Sequence, residues 1–332
     1  MKLICYGASV TAQKNDSGYF TYLSKSDLVD VFDVIERITF GASQYEYAGY
    51  AFMSDVLEEK PDVCLIDWLT PGMKSFNKYK ISLLNRLLLE RNCLPIWIFF
   101  PRIDNFENLT DGYFQVKNDA KDFGVPFVDL LDYMPNFGDS PEKYLRDKVH
   151  TNEIGAKKYS DVLVDIIKSQ DVPIAISNAR RSIAFKESQG EGYIMPMVLL
   201  CSHTIKDENN ICLATNWQGG LLEIFLETTV GPHVCLLTFK VFDSDTLIWE
   251  QIINPADPWC YYERKMVVET LRKRFPIGRY SIVISKSNGD PFADINLRKP
   301  KVVEYDEKDR YLSVERLSIN GDVVITYAEN HG

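Results

Sequence analysis

The chain has 332 residues, of which 45% are hydrophobic and 25% are charged, and its formal net charge is -10. This length exceeds that of an ordinary single domain and predicts two domains, with enough apolar residues to form cores. The acidic balance argues against a nucleic-acid-binding protein, which would carry a basic stripe, and no run reaches the roughly 18 apolar residues of a membrane span.

The seven cysteines are odd in number and form no CxxC pair. Several lie in apolar runs, as at residues 3–6 and 63–66, which is typical of buried free thiols in a reducing compartment. With only four histidines in the chain, we expect no metal site and no cofactor. The apolar run at the N-terminus is too short for a signal peptide. We therefore expect a cytoplasmic protein, and nothing in the sequence sets an oligomeric state.

The first half of the chain alternates strand and helix patterns. Predicted strands lie at residues 2–6, 31–35 with a second short run ending at Gly41, 63–68, 94–100 and 125–130. Predicted helices lie at residues 19–28, 47–59, 78–91, 110–123 and 152–169, the last with Thr151 or Asn152 as N-cap. Strands separated by helices predict right-handed crossovers and a parallel sheet, which is an α/β domain.

The pattern changes near residues 171–173. Predicted strands follow at 194–200, 211–214, 221–228, 234–242, 280–285 and 323–327, with turn signals at 219–220, 288–290 and 320–322. Residues 261–275 fit either a helix face or a long strand. We expect a β-rich, sandwich-like domain over residues 173–332 after an α/β domain over residues 1–172, with a short linker between 168 and 177.

Three short stretches of the first half suggest one chemistry. Gly7-Ala8-Ser9-Val10-Thr11 and Gly41-Ala42-Ser43 each follow a predicted strand, and Asp147-Lys148-Val149-His150 leads into a helix. Active groups of an open parallel sheet gather at the carboxyl ends of its strands. The three stretches offer a nucleophilic hydroxyl, backbone N–H donors, and an acid three residues before an imidazole, which acyl transfer through a serine requires.

Each stretch taken alone has a plainer interpretation. Ser9 fits the cap of a helix, since serine is common at that position. Asp147 and His150 fit a surface pair on one helical turn. The other histidines outside this stretch lie in the second half or at the C-terminus.

The combination resembles the SGNH (GDSL-type) hydrolases across residues 1–170. Gly7-Ala8-Ser9-Val10-Thr11 resembles the serine block of that family, with Ala8 where aspartate is usual, and Gly41 resembles its glycine block. Asp147-Lys148-Val149-His150, followed by Asn152 and Gly155, resembles its last block. The resemblance implies a flavodoxin-like three-layer fold around a parallel sheet.

The same resemblance implies roles for individual residues. Ser9 would be the nucleophile, His150 its base and Asp147 the partner that orients the imidazole. The backbone N–H groups of Ser9 and Gly41 would donate to the oxyanion.

The third block of the family departs in this chain. Its usual Gly-x-Asn-Asp is replaced by Ile66-Asp67-Trp68-Leu69-Thr70-Pro71-Gly72, which lacks the asparagine that donates to the oxyanion. Losing one such donor costs about 2.7–4 kcal/mol of transition-state stabilisation. Thr70 is the nearest replacement donor. Trp68 fits either the substrate pocket or the core, and Asp67 could bind a sugar hydroxyl.

Two further features bear on the substrate. Arg102 follows a predicted strand and fits either a contact to an anionic or carbohydrate group or a plain surface arginine. The second half holds aromatic residues suited to sugar stacking, densest at Trp259-Cys260-Tyr261-Tyr262, although such side chains in β-domains usually pack in cores or interfaces.

The sequence thus predicts a serine esterase that removes an acyl group from a carbohydrate or a related small ester. Acetyl is the preferred candidate for the acyl group. The missing asparagine keeps two alternatives open. One is acyl transfer to a sugar hydroxyl through the same Ser-His-Asp site. The other is a non-catalytic carbohydrate-binding or scaffolding protein on a degenerate hydrolase fold.

Overall fold

The structure is a computed structural model. It describes the chain except for residues 42, 71–76, 105, 108, 189–199, 205–209, 299–309, 311–312, 321–322 and 328–332. The predicted strand at 194–200 and turn at 320–322 fall largely outside the described residues, as do Ala42 of the glycine block and Pro71-Gly72 of the third block. No helix of the described part is long and apolar enough to cross a membrane.

The chain divides into two compact units, Met1–Met197 and Val198–Gly332. This division differs from the boundary expected at residues 172/173, because a helix over Val172–Ser188 occupies the expected linker. The Arg180 guanidinium of that helix donates to the Leu89 carbonyl, in the first unit. The helix therefore belongs to the first unit.

The first unit alternates strands and helices, as predicted. Its strands are β1 (Lys2–Gly7), β2 (Val34–Thr39), β3 (Val63–Asp67), β4 (Leu94–Phe99) and β5 (Phe127–Asp129). Its helices are α1 (Ser9–Ala12), α2 (Tyr19–Leu23), α3 (Met53–Glu58), α4 (Lys78–Glu90), α5 (Asp111–Phe123), α6 (Glu153–Ser169) and α7 (Val172–Ser188).

The five strands form one parallel sheet in the order β2-β1-β3-β4-β5. Every residue of β3 and β4 is buried, as expected for strands covered on both faces. The helices pack in two sets, α1 with α2 and α6, and α3 with α4, α5 and α7. The predicted α/β fold with helical layers around a parallel sheet is confirmed.

The order of the strands also locates the edge where a site is expected. From β1 the chain passes to β2 on one side and then to β3 on the other, so the switch point lies between β1 and β3. Gly7 pairs with Thr39 of β2 and Asp67 of β3, which brings the carboxyl ends of these three strands into line. Ligands of such sheets bind at this point.

The predicted helix at 47–59 takes a different form. A π-helical turn covers Tyr45–Gly49, and α3 begins only at Met53. A Cβ on Gly49 would lie 2.4 Å from the Tyr45 ring and 2.9 Å from the Trp68 ring. The turn therefore depends on glycine, because the backbone approaches two rings at van der Waals distance.

The second unit is an antiparallel sheet. Its strands are β6 (Cys201–Thr204), β7 (Asn210–Val230), β8 (Leu236–Asp243), β9 (Thr246–Ile253), β10 (Arg264–Ser287), β11 (Val314–Ile319) and β12 (Val323–Tyr327). Their order is β6-β11-β7-β10-β8-β9, and β12 also pairs with β7. The segment that fitted either a helix or a strand is strand, since it lies almost wholly in β10.

The turn predicted at Gly219-Gly220 is wrong, because β7 runs through both residues. They have φ of +90° and +99° and lie opposite the Phe275–Ile277 stretch of β10. The core-facing positions change parity there: they are Ile211, Leu213 and Trp217 before the glycines, and Leu222, Ile224 and Leu226 after them. A one-residue change of parity moves side chains to the other face of a strand. The glycines therefore let both halves of β7 contribute to one core.

Candidate active site

Ser9 lies where β1 ends and α1 begins. The turn needs glycine at position 7, because a Cβ there would lie 2.7 Å from the Asp67 carbonyl oxygen and 2.8 Å from Thr11 Oγ1. The Ala8 N–H donates to the same Asp67 carbonyl at 3.0 Å. Ser9 is half-buried, and its hydroxyl and N–H make no hydrogen bond within the described part of the chain. Both groups are therefore available to a ligand.

Asp147 and His150 form a pair on the turn before α6. His150 Nδ1 lies 2.9 Å from Asp147 Oδ2 and 3.1 Å from Oδ1. Asp147 Oδ1 also accepts from the N–H groups of Val149 and His150, at 2.9 and 2.8 Å. The carboxylate thus fixes both the turn and the imidazole, and it leaves His150 Nε2 as the nitrogen that faces away from Asp147.

The charge of Asp147 is held by the same contacts. Burial alone would raise the pKa of this carboxyl, but the N–H groups of His150 and Val149 and the imidazole outweigh it and lower the pKa below its usual value. Hydrogen bonds to an ionised carboxylate favour that form. Asp147 is therefore ionised at neutral pH, as an acceptor for the His150 Nδ1–H must be.

A buried amide joins the serine turn to the histidine turn. Gln13, which directly follows α1, accepts from the Thr151 N–H at 3.2 Å through Oε1 and donates to the Thr151 carbonyl at 3.1 Å through Nε2. Thr151 is the residue after His150. The helix that begins with Ser9 and the turn that carries His150 are therefore neighbours, although no hydrogen bond joins Ser9 Oγ to the imidazole in the described residues.

Gly41 follows β2 at the same edge of the sheet. It is half-buried, a Cβ built on it would meet no atom within 4 Å, and its N–H makes no hydrogen bond in the described part of the chain. The glycine faces open space. Its N–H is therefore free to donate to a ligand.

Asp67 and Thr70 bond to each other rather than to solvent. Each is 1% exposed, and the Thr70 hydroxyl donates to Asp67 Oδ1. The Thr11 hydroxyl donates to Asp67 Oδ2 at 2.8 Å. Burial raises the pKa of Asp67 to about 6, against the opposing effect of the Thr70 and Thr11 hydroxyls. The sugar contact expected of Asp67 and the hydroxyl donor expected of Thr70 do not fit this placement, because both groups are enclosed and already paired.

Trp68 is fully buried. Its ring meets the Tyr6 ring edge-on at 5.2 Å and lies 6.2 and 6.4 Å from those of Tyr45 and Phe40. Of the two interpretations of Trp68, the structure favours core packing over the substrate pocket, since none of the ring is exposed.

Arg102 holds loops together. Its guanidinium donates to Asp104 at 2.8 and 3.0 Å and to the Thr70 carbonyl at 3.0 Å. The next residue, Ile103, donates its N–H to the Lys148 carbonyl at 2.9 Å, in the turn between Asp147 and His150. Arg102 thus ties the loop after β3 to the segment that supports this turn, and it has few donors left for an anionic ligand.

Sequence reasoning missed Gln13 and the Thr11–Asp67 hydrogen bond. Thr11 was visible as part of the serine block, but nothing in the sequence distinguishes a buried, fully bonded glutamine from an exposed one. Among the described residues, no group of three or more His, Cys, Asp or Glu side chains could hold a metal ion.

No protein-family model matches the chain, and no curated protein is similar to it in sequence. Solved structures are similar in fold. A two-domain esterase active on acetylated mannans is 12% identical, and the superposition covers 98% of this chain and 92% of that chain with a TM-score of 0.63. The chain has the fold of this two-domain esterase.

A structure of such a two-domain esterase co-crystallised with mannopentaose gives a TM-score of 0.61 at 12% identity, over 97% of this chain and 91% of that one. An acetyl xylan esterase is 21% identical and covers 50% of this chain and 100% of its own length, with a TM-score of 0.42. The two-domain likeness extends over the parallel sheet and the antiparallel sheet alike. It confirms the predicted fold class for both parts of the chain.

Proposed function

We propose that this chain is a serine esterase that removes an acyl group from a carbohydrate, with acetyl as the preferred acyl group. The observation that carries the proposal is the pairing of His150 with an ionised Asp147 on a turn bonded to the helix that begins with Ser9. Nucleophile, base and orienting acid then stand on neighbouring segments at the carboxyl edge of the sheet, where such folds bind their ligands.

In the first step Ser9 Oγ attacks the carbonyl carbon of the ester, and His150 Nε2 takes the hydroxyl proton. The C–O bond to the sugar then breaks, and the imidazolium returns that proton to the departing sugar oxygen. Asp147 stays ionised throughout and stabilises the imidazolium through Nδ1. The products of this step are the free sugar hydroxyl and an acyl-serine.

In the second step water attacks the acyl-serine with His150 as base, releasing the carboxylic acid and restoring Ser9. The tetrahedral oxyanion of each step is held by the N–H groups of Ser9 and Gly41, which have no other acceptor in the described residues. We assign no oxyanion role to the Thr70 hydroxyl, because its proton is directed at Asp67.

Acetylated carbohydrate is the substrate class to test first. Support comes from the similar two-domain esterase, which is active on acetylated mannans and shares the fold over 98% of this chain. The similarity covers the second unit as well as the first.

The deciding experiment compares the wild type with Ser9→Ala, purified side by side. We expect the wild type to hydrolyse p-nitrophenyl acetate, to release acetate from acetylated mannan, and to gain one fluorophosphonate adduct at Ser9 by mass spectrometry. We expect Ser9→Ala to do none of these while keeping the wild-type circular dichroism and melting temperature. Equal rates for the two proteins would rule out the mechanism.

The same preparations separate the alternatives. An acyltransferase would label at Ser9 and move acetyl to an added manno-oligosaccharide while releasing little acetate. A non-catalytic binding protein would not react with the fluorophosphonate at all.

A further inference from the structure

Gln13 is a buried side chain whose polar atoms are all used. It is 7% exposed. Its Nε2 donates to the carbonyls of Ser17 and Thr151 at 2.9 and 3.1 Å, and its Oε1 accepts from the Thr151 N–H at 3.2 Å. The Thr151 hydroxyl lies 3.1 Å from the same Oε1 and 2.6 Å from the Ser17 carbonyl oxygen. One amide therefore occupies both backbone polar groups of Thr151.

The two ends of this contact are close in sequence to the reacting side chains. Gln13 follows the four-residue helix that begins with Ser9, and its N–H donates to the Val10 carbonyl at 3.3 Å. Thr151 is covalently joined to His150 and is completely buried. A shift of the amide is therefore transmitted to Ser9 through the short helix α1 and to His150 through a single peptide bond.

The backbone at Gln13 is itself fixed. The Arg37 guanidinium, from β2, donates to the Gln13 carbonyl at 2.6 Å and to the Thr11 carbonyl at 3.0 Å. Arg37 thus holds the end of α1 against the sheet while the amide of Gln13 reaches across to Thr151. The histidine turn has a second anchor at Ile103, which bonds to Lys148 rather than to the serine turn.

We propose that Gln13 is a positioning residue that sets the separation between Ser9 Oγ and the His150 imidazole. It does not touch substrate. This role rests on the proposed function, since it concerns the same serine and histidine.

The proposal predicts a specific kinetic effect. A misplacement of about 1 Å between reacting groups can cost about 100-fold in rate. Replacing the amide by an apolar side chain of similar length should therefore slow the proton transfer from Ser9 to His150 and leave substrate binding unchanged. A purely structural amide would lower the melting temperature without changing the rate constant per folded molecule.

Gln13→Met is the test variant, and Asn85→Leu is its matched control. Asn85 is also a fully buried amide, which donates to Asp119 at 2.9 Å and accepts from Trp97 Nε1 at 2.8 Å, on α4 and outside the candidate site. Both substitutions break hydrogen bonds of a buried amide.

The measurements are the rate constant of fluorophosphonate labelling at Ser9, and kcat and KM for p-nitrophenyl acetate, all below the melting temperature of every variant. We expect Gln13→Met to lower the labelling rate constant and kcat by about 10- to 100-fold with little change in KM. We expect Asn85→Leu to stay close to the wild type. If Gln13→Met does not fold, Gln13→Asn takes its place, since it keeps an amide that is one methylene too short for both contacts.

Wild-type rate constants in Gln13→Met, or an equal loss in Asn85→Leu, would overturn the positioning role and leave the proposed function intact. A wild type that is not labelled at Ser9 would overturn the proposed function, and the positioning role with it.

Discussion

Two groups of polar side chains lie near the carboxyl edge of the parallel sheet, and they differ in solvent exposure and in hydrogen bonding. Ser9 and His150 are partly exposed, and each keeps a polar group that no other described residue uses. Asp67 and Thr70, at the end of the neighbouring strand β3, are sealed from solvent and satisfy each other. Ser9 directly follows β1 and Asp67 ends β3, so each group has a member at a strand end, where ligands of such sheets bind.

The difference shows that a position at the edge of the sheet is not enough for a catalytic role. A reacting side chain needs an unused donor or acceptor and a path to solvent. Asp67 has neither, and the pKa that burial gives it reflects its surroundings in the fold. Asp147 retains exposure and has a pKa held low by N–H donors and the imidazole, which suits a carboxylate that must stay charged.

After the loss of activity expected of Ser9→Ala, the largest effect is expected from Asp147→Asn, which changes the partner of His150. The amide cannot accept the His150 Nδ1–H as a carboxylate does, so the imidazole takes the wrong tautomer, and kcat falls by about 10⁴-fold. The measurement is kcat for p-nitrophenyl acetate, with the fluorophosphonate labelling rate as a second readout. Asp104→Asn is the matched control, because Asp104 is a nearby carboxylate that bonds to Arg102 rather than to the imidazole. Equal losses in both variants would show that Asp147 acts only through the fold.

Asp67→Asn tests the sealed group through the pH dependence of stability. The pKa of Asp67 is raised from 3.8 to about 6, so the folded state binds this proton more tightly than the unfolded state. The resulting stabilisation is complete below about pH 4 and is lost as the pH rises through about 6, which amounts to ~3 kcal/mol. Because asparagine does not titrate, Asp67→Asn does not lose this stabilisation as the pH rises. We therefore expect the stability of the variant relative to the wild type to increase by that amount from pH 4 to pH 8, measured by urea unfolding.

The two hydroxyls around Asp67 oppose this trend, because they favour the ionised form. The quantity to follow is the difference in free energy of unfolding between Asp67→Asn and the wild type. If this difference does not change with pH, the pKa of Asp67 is not raised. We expect the esterase rate of this variant to change far less than that of Asp147→Asn, since Asp67 touches no reacting group.

Much of the first unit could be predicted from the sequence because its patterns are local. The apolar runs of β3 and β4 and the stripe of α4 specify buried strands and a helix without knowledge of their neighbours. The π-helical turn at Tyr45–Gly49 could not be predicted, because it depends on the approach of Gly49 to a ring of Trp68 that is distant in sequence. The extension of the first unit through α7 could not be predicted for a similar reason, because α7 is held by contacts of Arg180 to the end of α4.

The same distinction holds for the site. Ser9, Asp147 and His150 were found because spacing within short stretches identified them, and their roles stay predictions. The burial of Asp67 and Trp68 depends on residues that are distant in sequence, among them Thr11, Tyr6 and Phe40, so the sequence alone left their roles open. Gly219-Gly220 was predicted as a turn because a glycine pair usually ends a strand. The pair lies within β7 because β10 pairs with β7 both before and after the two glycines.

A pair of glycine variants compares the tightly packed backbone at Gly7 with the open backbone at Gly41. Gly7→Ala would place a Cβ 2.7 Å from the Asp67 carbonyl oxygen, and such overpacking against backbone costs about 1–3 kcal/mol. Gly41→Ala would place its Cβ in open space, and we expect a change within about 0.5 kcal/mol. Urea unfolding of both proteins measures the difference. Equal destabilisation would show that Gly41 is packed as tightly as Gly7.

The smallest effect on rate is expected from Thr70→Val. A hydroxyl that donated to the oxyanion would cost about 100- to 1,000-fold in kcat on removal. The Thr70 hydroxyl donates to Asp67, so its loss should lower stability where Asp67 is ionised and leave kcat near the wild-type value. Thr70→Ser keeps the hydroxyl and is the control. A large loss of kcat in Thr70→Val, but not in Thr70→Ser, would place Thr70 among the oxyanion donors. Thr70 would then belong with Ser9 and His150 rather than with the sealed Asp67.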